Sequence, residues 1–273
     1  MPSWLKSRDK SGGFLEKEEL TEKEYWDGCW GKVKLPSELT DENAGNVTRE
    51  LIPIINRHIP ENEDLGILEI GGAPGQWLAY FAKKYRYRIH ALDYSKVGCE
   101  KMRENFDLLN LDATIYDRDI LSDDLSGLPR FDIVYSLGFI EHFSDLDLVV
   151  ERHLALLKDG GILILGVPNF LGISEPVLRR LAPRTLSMHN LLTMDMANWG
   201  LFEKKYQLKT LFRDYAGGFE PGNFRRCEER TIKNLAIRYF FKLVRISFGR
   251  IRYFRRFNSK YWSAYLLGIY QKK

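Results

Sequence analysis

Residues 67–77 read ILEIGGAPGQW. Three apolar residues surround one acid, and glycines with a proline follow at once. The run Ile67, Leu68, Ile70 has the length and character of a buried strand that ends near Glu69. The turn after it has lost nearly all its side chains. Glycine surrenders more conformational entropy on folding than any other residue, so such a turn implies that a backbone or a ligand comes very close.

Outward from this stretch, strand and helix patterns alternate. A helix is expected from Asn46 to about His58, with Val47, Leu51, Ile54 and Ile55 at helical spacing, stopped by Pro60. "GQWLAYFAKKY" reads as the helix after the turn, "RIHALDY" as a second strand, "SKVGCEKMRENFDLL" as a helix and "ATIYDRDI" as a third strand. "FDIVYSL", "SDLDLVVERHLALL" and "GGILILGV" continue as strand, helix and strand, with "KDGG" as the turn between the last two. This rhythm predicts a doubly wound, mostly parallel seven-stranded sheet with helices on both faces. After Pro168 the pattern becomes irregular, as expected of a helical cap at about 170–200. "LFEKKYQLKTLFRDY" reads as strand-rich, a basic helical insertion lies at about 217–260, and "YWSAYLLGIY" is the last strand. Residues 1–45 form a polar, irregular arm or lid around the aromatic knot "EYWDGCW", and residues 46–273 form the main domain.

The glycine spacing separates two kinds of nucleotide-derived ligand. The dinucleotide pattern GxGxxG, counted from Gly71, needs glycine at 73 and 76, where Ala73 and Gln76 stand. The alternative, acid-x-G-x-G-x-G, is filled by Glu69, Gly71, Ala73 and Gly75, with alanine for the middle glycine. It resembles the first motif of the class I S-adenosylmethionine-dependent methyltransferases. The later strand ends agree in order and spacing over about residues 65–170. By this resemblance Glu69 faces the methionine ammonium, and Gly71, Gly72, Ala73 and Gly75 line the turn. Asp93 of "HALDYS" takes the ribose hydroxyls and Tyr94 covers the adenine. Asp119 of "YDRDIL" meets the adenine amino group beside Ile120, and Ser136 follows in "FDIVYSLGFIEHF". The cofactor implied is S-adenosyl-L-methionine; no metal site is expected.

"GAPGxW" is also similar to the first motif of the heat-shock-type RNA ribose methyltransferases. Their Lys–Asp–Lys–Glu set is missing: the fifth strand has no lysine, and Ser136 and Gly138 occupy the end of the fourth. No NPPY-type motif is present either. What remains resembles the small-molecule branch, with methyl transfer to an oxygen or nitrogen of a small, lipid- or sugar-linked metabolite. An RNA-modifying enzyme and a lipid C-methyltransferase are the alternatives, the latter because "GFIEHF" has some likeness to the fatty-acid cyclopropane synthase motif. A base is required only for an acceptor that begins protonated. His142 is the candidate, with His189 of the cap as the second; Tyr25, Trp26 and Trp30 are candidates for a lid over the acceptor. His58, His90 and His153 read as structural.

Composition sets the remaining bounds. With 273 residues, 44% hydrophobic and 29% charged, the chain has ample material for a core. Its three widely spaced cysteines carry no metal-ligand spacing and fit a reducing compartment. No signal peptide or membrane span is evident, so a cytoplasmic protein is expected. The charge is uneven. Residues 225–260 hold twelve Lys/Arg against two Glu, a surplus of ten, so the rest carries −6 against an overall +4. Within this segment Ile232, Leu235, Ala236, Tyr239, Phe240, Leu243 and Val244 recur at helical spacing, with Arg230, Lys233, Arg238, Lys242 and Arg245 off that stripe. The pattern resembles an interfacial helix, with peripheral contact to an anionic membrane through 228–256 as the expectation. Packing of the stripe on the domain, and nucleic-acid binding through interleaved arginines and aromatics, are the competing readings.

Overall fold

The computed structural model describes residues 20–40, 43–220, 231–249 and 257–273, with backbone alone for 245–249. Most of the arm before Leu20, and residues 225–230 and 250–256 of the basic segment, lie outside the described residues, as does the side chain of Arg245.

Seven strands form one sheet: β1 Gly66–Ile70, β2 Arg88–Asp93, β3 Ala113–Asp117, β4 Phe131–Leu137, β5 Leu157–Pro168, β6 Lys209–Phe219 and β7 Ser263–Gln271. Their order is β3-β2-β1-β4-β5-β7-β6. The first five are parallel, and β7 enters antiparallel between β5 and β6. The strand order reverses between β1 and β4. A crevice opens beyond the carboxyl ends of strands at such a point, and ligands bind there in open α/β sheets.

Period-two alternation sorts the strand residues into two cores. Ile67, Ile89 and Ile133 pack with α2 (Asn46–His58), α3 (Gln76–Tyr85) and α4 (Lys96–Leu109). Leu68, Ile70, Val134 and Leu163 face the other way, onto α5 (Leu146–Ala155), α6 (Ser174–Leu181) and α8 (Met196–Lys205). β1 is buried at all five residues, as expected of a central strand with both faces covered.

Four expectations are corrected. The knot "EYWDGCW" is not irregular but lies in helix α1, Lys23–Trp30. The stretch "LFEKKYQLKTLFRDY" divides, its first half completing α8 and its second forming β6. "KDGG" does not separate helix from strand. It bulges within β5, between the pairs Phe131–Leu157 and Ile133–Ile162. β3 ends at Asp117, two residues short of Asp119, so Asp119 sits in the following turn. The cap comprises α6, the short α7 (Pro183–Ser187), a 3-10 turn and α8; the basic segment holds α9 (Ile232–Gly249).

Candidate active site

The glycine turn is shaped by protein as much as by any ligand. Gly71 has φ +69°, and a Cβ there would lie 2.2 Å from the Phe139 ring. A Cβ on Gly72 would lie 1.9 Å from Cδ of Glu69, whose side chain folds back over the turn. Gly75, φ +86°, begins α3 in the left-handed conformation against Phe106. The Gly71 N–H donates to Leu92 O (2.9 Å) and the Gly75 N–H to Gly72 O (2.8 Å). Two of the amides expected to face the cofactor are therefore spent within the fold.

The cleft lies over this turn. One chamber is lined by Gly71, Asp93, Gly138, His142, Trp26 and Trp30, among others. A second shares Asp93, Tyr94, Phe139 and Phe143 with it and adds Ile70, Leu92, Asp119 and Ile120. The two form one narrow cleft, with an apolar slot at one end.

Buried carboxyls set its electrostatics. Burial pushes Glu69 up to about 8; the charge on Asp93 adds to this, and the nearby Tyr135 hydroxyl opposes it without making a hydrogen bond. Glu69 Oε2 is buried and has no hydrogen-bond partner among the described residues. Asp93 is pushed up to about 6, chiefly by burial, while the N–H of Ser95, donating to Oδ1 at 2.9 Å, works against the shift. Glu69 therefore holds its proton near neutrality until a cation arrives, whereas Asp93 is largely ionised there.

His142 stands where the loop after β4, the arm and the cap converge. Its Nδ1 lies 3.0 Å from Met188 O, which can only accept, so Nδ1 carries the hydrogen. Thr21 Oγ lies 2.9 Å from the same nitrogen and donates its own proton to Met188 O at 3.1 Å. The lone pair of His142 is therefore on Nε2, 3.9 Å from Glu141 Oε1. His189, with Nδ1–H on Thr185 O, brings its ring to 4.5 Å from that of His142. Glu141 is fully buried and pushed up to about 8 by that burial. The ligand atoms of Glu141, His142 and His189 lie within 4.8 Å of one another.

Of the expected residues, Gly71, Asp93, Tyr94, Asp119, Ile120, His142, Trp26 and Trp30 line the cleft, Glu69, Gly72, Ala73 and Gly75 build the turn beneath it, and His189 stands against His142. Two are not. Ser136 is fully buried, and its hydroxyl donates to His153 Nε2 at 3.0 Å, within the core. Tyr25 is exposed, packing edge-on against Trp26 rather than lining the cleft. Asp119 spends its carboxylate on its own turn, accepting from Leu121 N (2.8 Å) and Ser122 Oγ (2.9 Å). His153, held near 4 by burial and bonded to Val149 O and Ser136, is structural.

Other residues were not legible as functional. Thr21 bridges His142 Nδ1 and Met188 O. Asp27 accepts from Ser95 Oγ (2.5 Å) and ties α1 to the start of α4, where Gly98 leaves room for Trp30. Asn190 donates to Phe143 O and its N–H to Glu141 O, fastening the cap to the same loop. Single Thr, Asp and Asn residues in irregular sequence carry no spacing signal.

A protein-family model described as "Methyltransferase domain" matches residues 68–163. This stretch, from β1 into β5, is a methyltransferase domain. This methyltransferase is similar in structure to phosphoethanolamine N-methyltransferase 2 of Haemonchus contortus in complex with S-adenosyl-L-methionine. The TM-score is 0.58 at 14% identity, over 96% of this chain and 61% of that one. A S-adenosylmethionine-dependent methyltransferase of Geobacter sulfurreducens, in complex with S-adenosyl-L-homocysteine, gives 0.56 at 12% identity, over 93% and 100%. A geranyl diphosphate methyltransferase in complex with geranyl diphosphate and sinefungin gives 0.56 at 10% identity, over 81% and 76%. At these identities the likeness speaks to the fold. No curated protein matches the sequence.

Proposed function

We propose that this enzyme methylates an oxygen or nitrogen of a small, lipid- or sugar-linked metabolite, with His142 as general base when the acceptor is a hydroxyl. The observation that carries this reading is the fixed tautomer of His142: Nδ1–H is committed to Met188 O, so the basic nitrogen is Nε2, in the wall of the cleft beside Gly71 and Asp93.

S-adenosylmethionine, when bound, supplies a methyl group on a sulfonium, a leaving group that needs no acid. The residues fit its parts. The orphaned Oε2 of Glu69 suits an ammonium, the Asp93 carboxylate suits a ribose diol, and Tyr94, Ile120, Phe139 and Phe143 make a slot for a flat base. The protein then has three tasks: to hold the acceptor in line, exclude water, and receive one proton. Trp26 and Trp30, stacked at 5.7 Å, close the cleft, with Trp26 edge-on to His142 at 4.9 Å. His142 Nε2 would take the proton as the methyl–oxygen bond forms, and His189 flanks the acceptor.

The test is incubation with methyl-labelled S-adenosylmethionine and separated aqueous, lipid and RNA fractions of a cell extract, with mass spectrometry of the labelled product. A labelled metabolite whose formation needs His142 supports the reading. Label confined to RNA, or cofactor bound with no turnover on any fraction, overturns it.

A further inference from the structure

Among the described residues thirteen large hydrophobic side chains are exposed, and eight of them fall in α9, at Ile173 just before α6 or in residues 257–262. Scattered exposed leucines are ordinary, whereas a gathered group marks a binding surface. On α9, Ile232 is 88% exposed, Tyr239 64%, Phe240 60% and Leu243 63%. The spacing i, i+7, i+8, i+11 makes them one stripe. The opposite side carries Asn234, fully buried, and Ile237 and Phe241; these two line an apolar groove with Pro176, Val177 and Arg180 of α6, and Ala236 and Phe240 form its outer lip where the stripe begins. The helix thus packs by its other side and turns this stripe outward, the reverse of an ordinary surface helix. The sequence alternative in which this stripe is covered by the domain does not hold for these four residues.

The second group joins it through α6. Ile173, before α6, donates its N–H to Tyr261 O (2.9 Å), and Gly172 permits the approach, since a Cβ would lie 2.3 Å from that oxygen. Phe257, Tyr261 and Trp262 are exposed beside it. Cations are set among the rings: Lys242 Nζ lies 5.7 Å from the Tyr239 ring and Lys260 Nζ 5.2 Å from that of Tyr261. Lys233 and Arg180 are exposed on the same elements. α6 follows the carboxyl end of β5, and residues 257–262 lead into antiparallel β7, so this face lies at the same end of the sheet as the cleft.

We infer that the face made by α6, α9 and residues 257–262 binds the surface of an anionic lipid bilayer. Tyr, Trp and Lys around a centre of Ile, Leu and Phe is the composition of a membrane interface. A protein partner's surface would be poor in lysine, and aliphatic Ile173, Ile232 and Leu243 offer nothing to stack on a nucleic-acid base. No helix among the described residues is long and apolar enough to cross a membrane, so the contact is peripheral. The inference holds whichever acceptor is methylated.

The test is flotation of the full chain with vesicles of phosphatidylcholine alone and of phosphatidylcholine mixed with phosphatidylserine. Binding is expected to the mixed vesicles only and to fall as salt rises. Lys233→Ser and Lys242→Ser should each lower partition by about fivefold, the worth of one basic residue at an anionic leaflet. Tyr239→Ser with Leu243→Ser should abolish it. These side chains are exposed, and unchanged cofactor affinity by calorimetry verifies that each variant is folded. A vesicle-dependent blue shift in emission, lost in Trp262→Phe, places the second group at the bilayer. Equal recovery on both vesicle types, no loss in the variants, RNA binding that the same substitutions remove, or self-association that Leu243→Ser removes would each overturn the inference.

Discussion

Thr21 and His142 are 121 residues apart in the chain, and their side chains meet at 2.9 Å. This contact, shared with Met188 O, places the imidazole hydrogen on Nδ1 and gives the arm a direct hold on the candidate base. Thr21→Val keeps the shape and removes the hydroxyl. It should lower kcat by about tenfold, the value of one neutral hydrogen bond, with cofactor affinity unchanged, measured by initial rates and calorimetry. Unchanged kcat would leave Met188 O as the sole orienting group.

His142→Ala should cost about 10²–10⁴-fold in kcat on a hydroxyl acceptor, the usual worth of a general base, with little change in cofactor binding. A loss below tenfold would mean that positioning alone suffices, or that His189 receives the proton; the double variant with His189→Ala separates the two.

Asp93→Ala should weaken binding of S-adenosylmethionine and S-adenosylhomocysteine by about 2–3 kcal/mol, as for a pair of charge-assisted hydrogen bonds, and NAD should not bind. Calorimetry that finds no effect of the substitution would remove the ribose role from this residue.

Glu69, pushed up to about 8 by burial, carries its proton at neutral pH when no cation faces it. An ammonium brought against Oε2 favours the ionised form. Cofactor binding at pH 7 should therefore release protons, seen as a binding heat that differs between phosphate and Tris buffers, and Glu69→Gln should abolish that difference.

Glu141 offers a stability test. Its folded pKa, about 8, is raised by burial above the ordinary carboxylate range near 4.5. Its contribution is fully present below pH 4.5 and is lost as pH rises through 8. The ligand-free protein should therefore lose stability over that window, and Glu141→Gln should recover roughly 2–4 kcal/mol at pH 8.5. Denaturant titrations at pH 5.5 and 8.5 measure the change; parallel pH dependence in both proteins would assign the loss elsewhere.

The cofactor half was legible because strands ending in an acid, with turns of fixed glycine spacing, write themselves locally. What the glycines answer to was not. Gly71 faces Phe139 and Gly72 faces Glu69, tertiary contacts that no spacing encodes. Ser136 was misplaced because a strand residue's face depends on register, and its partner His153 comes from the next helix. α1 was missed because Gly28 and two tryptophans weaken its helical propensity; it forms where Trp30 seats on Gly98 and Asp27 meets Ser95. The stripe on α9 was read correctly as a stripe, but periodicity does not say whether the domain covers it.

The family match stops at residue 163, yet Thr21, Trp26, Trp30, Met188 and His189, which surround His142, all lie beyond its ends. The molecule thus divides into an engine and a mouth. The engine, β1 to β5, uses a plan common to many enzymes; the mouth is assembled from two stretches flanking it and is fastened on by a few hydrogen bonds. Exchanging residues 20–32 and 170–200 together between related enzymes should carry acceptor preference with them, whereas either stretch alone would leave the imidazole without the neighbour that orients it.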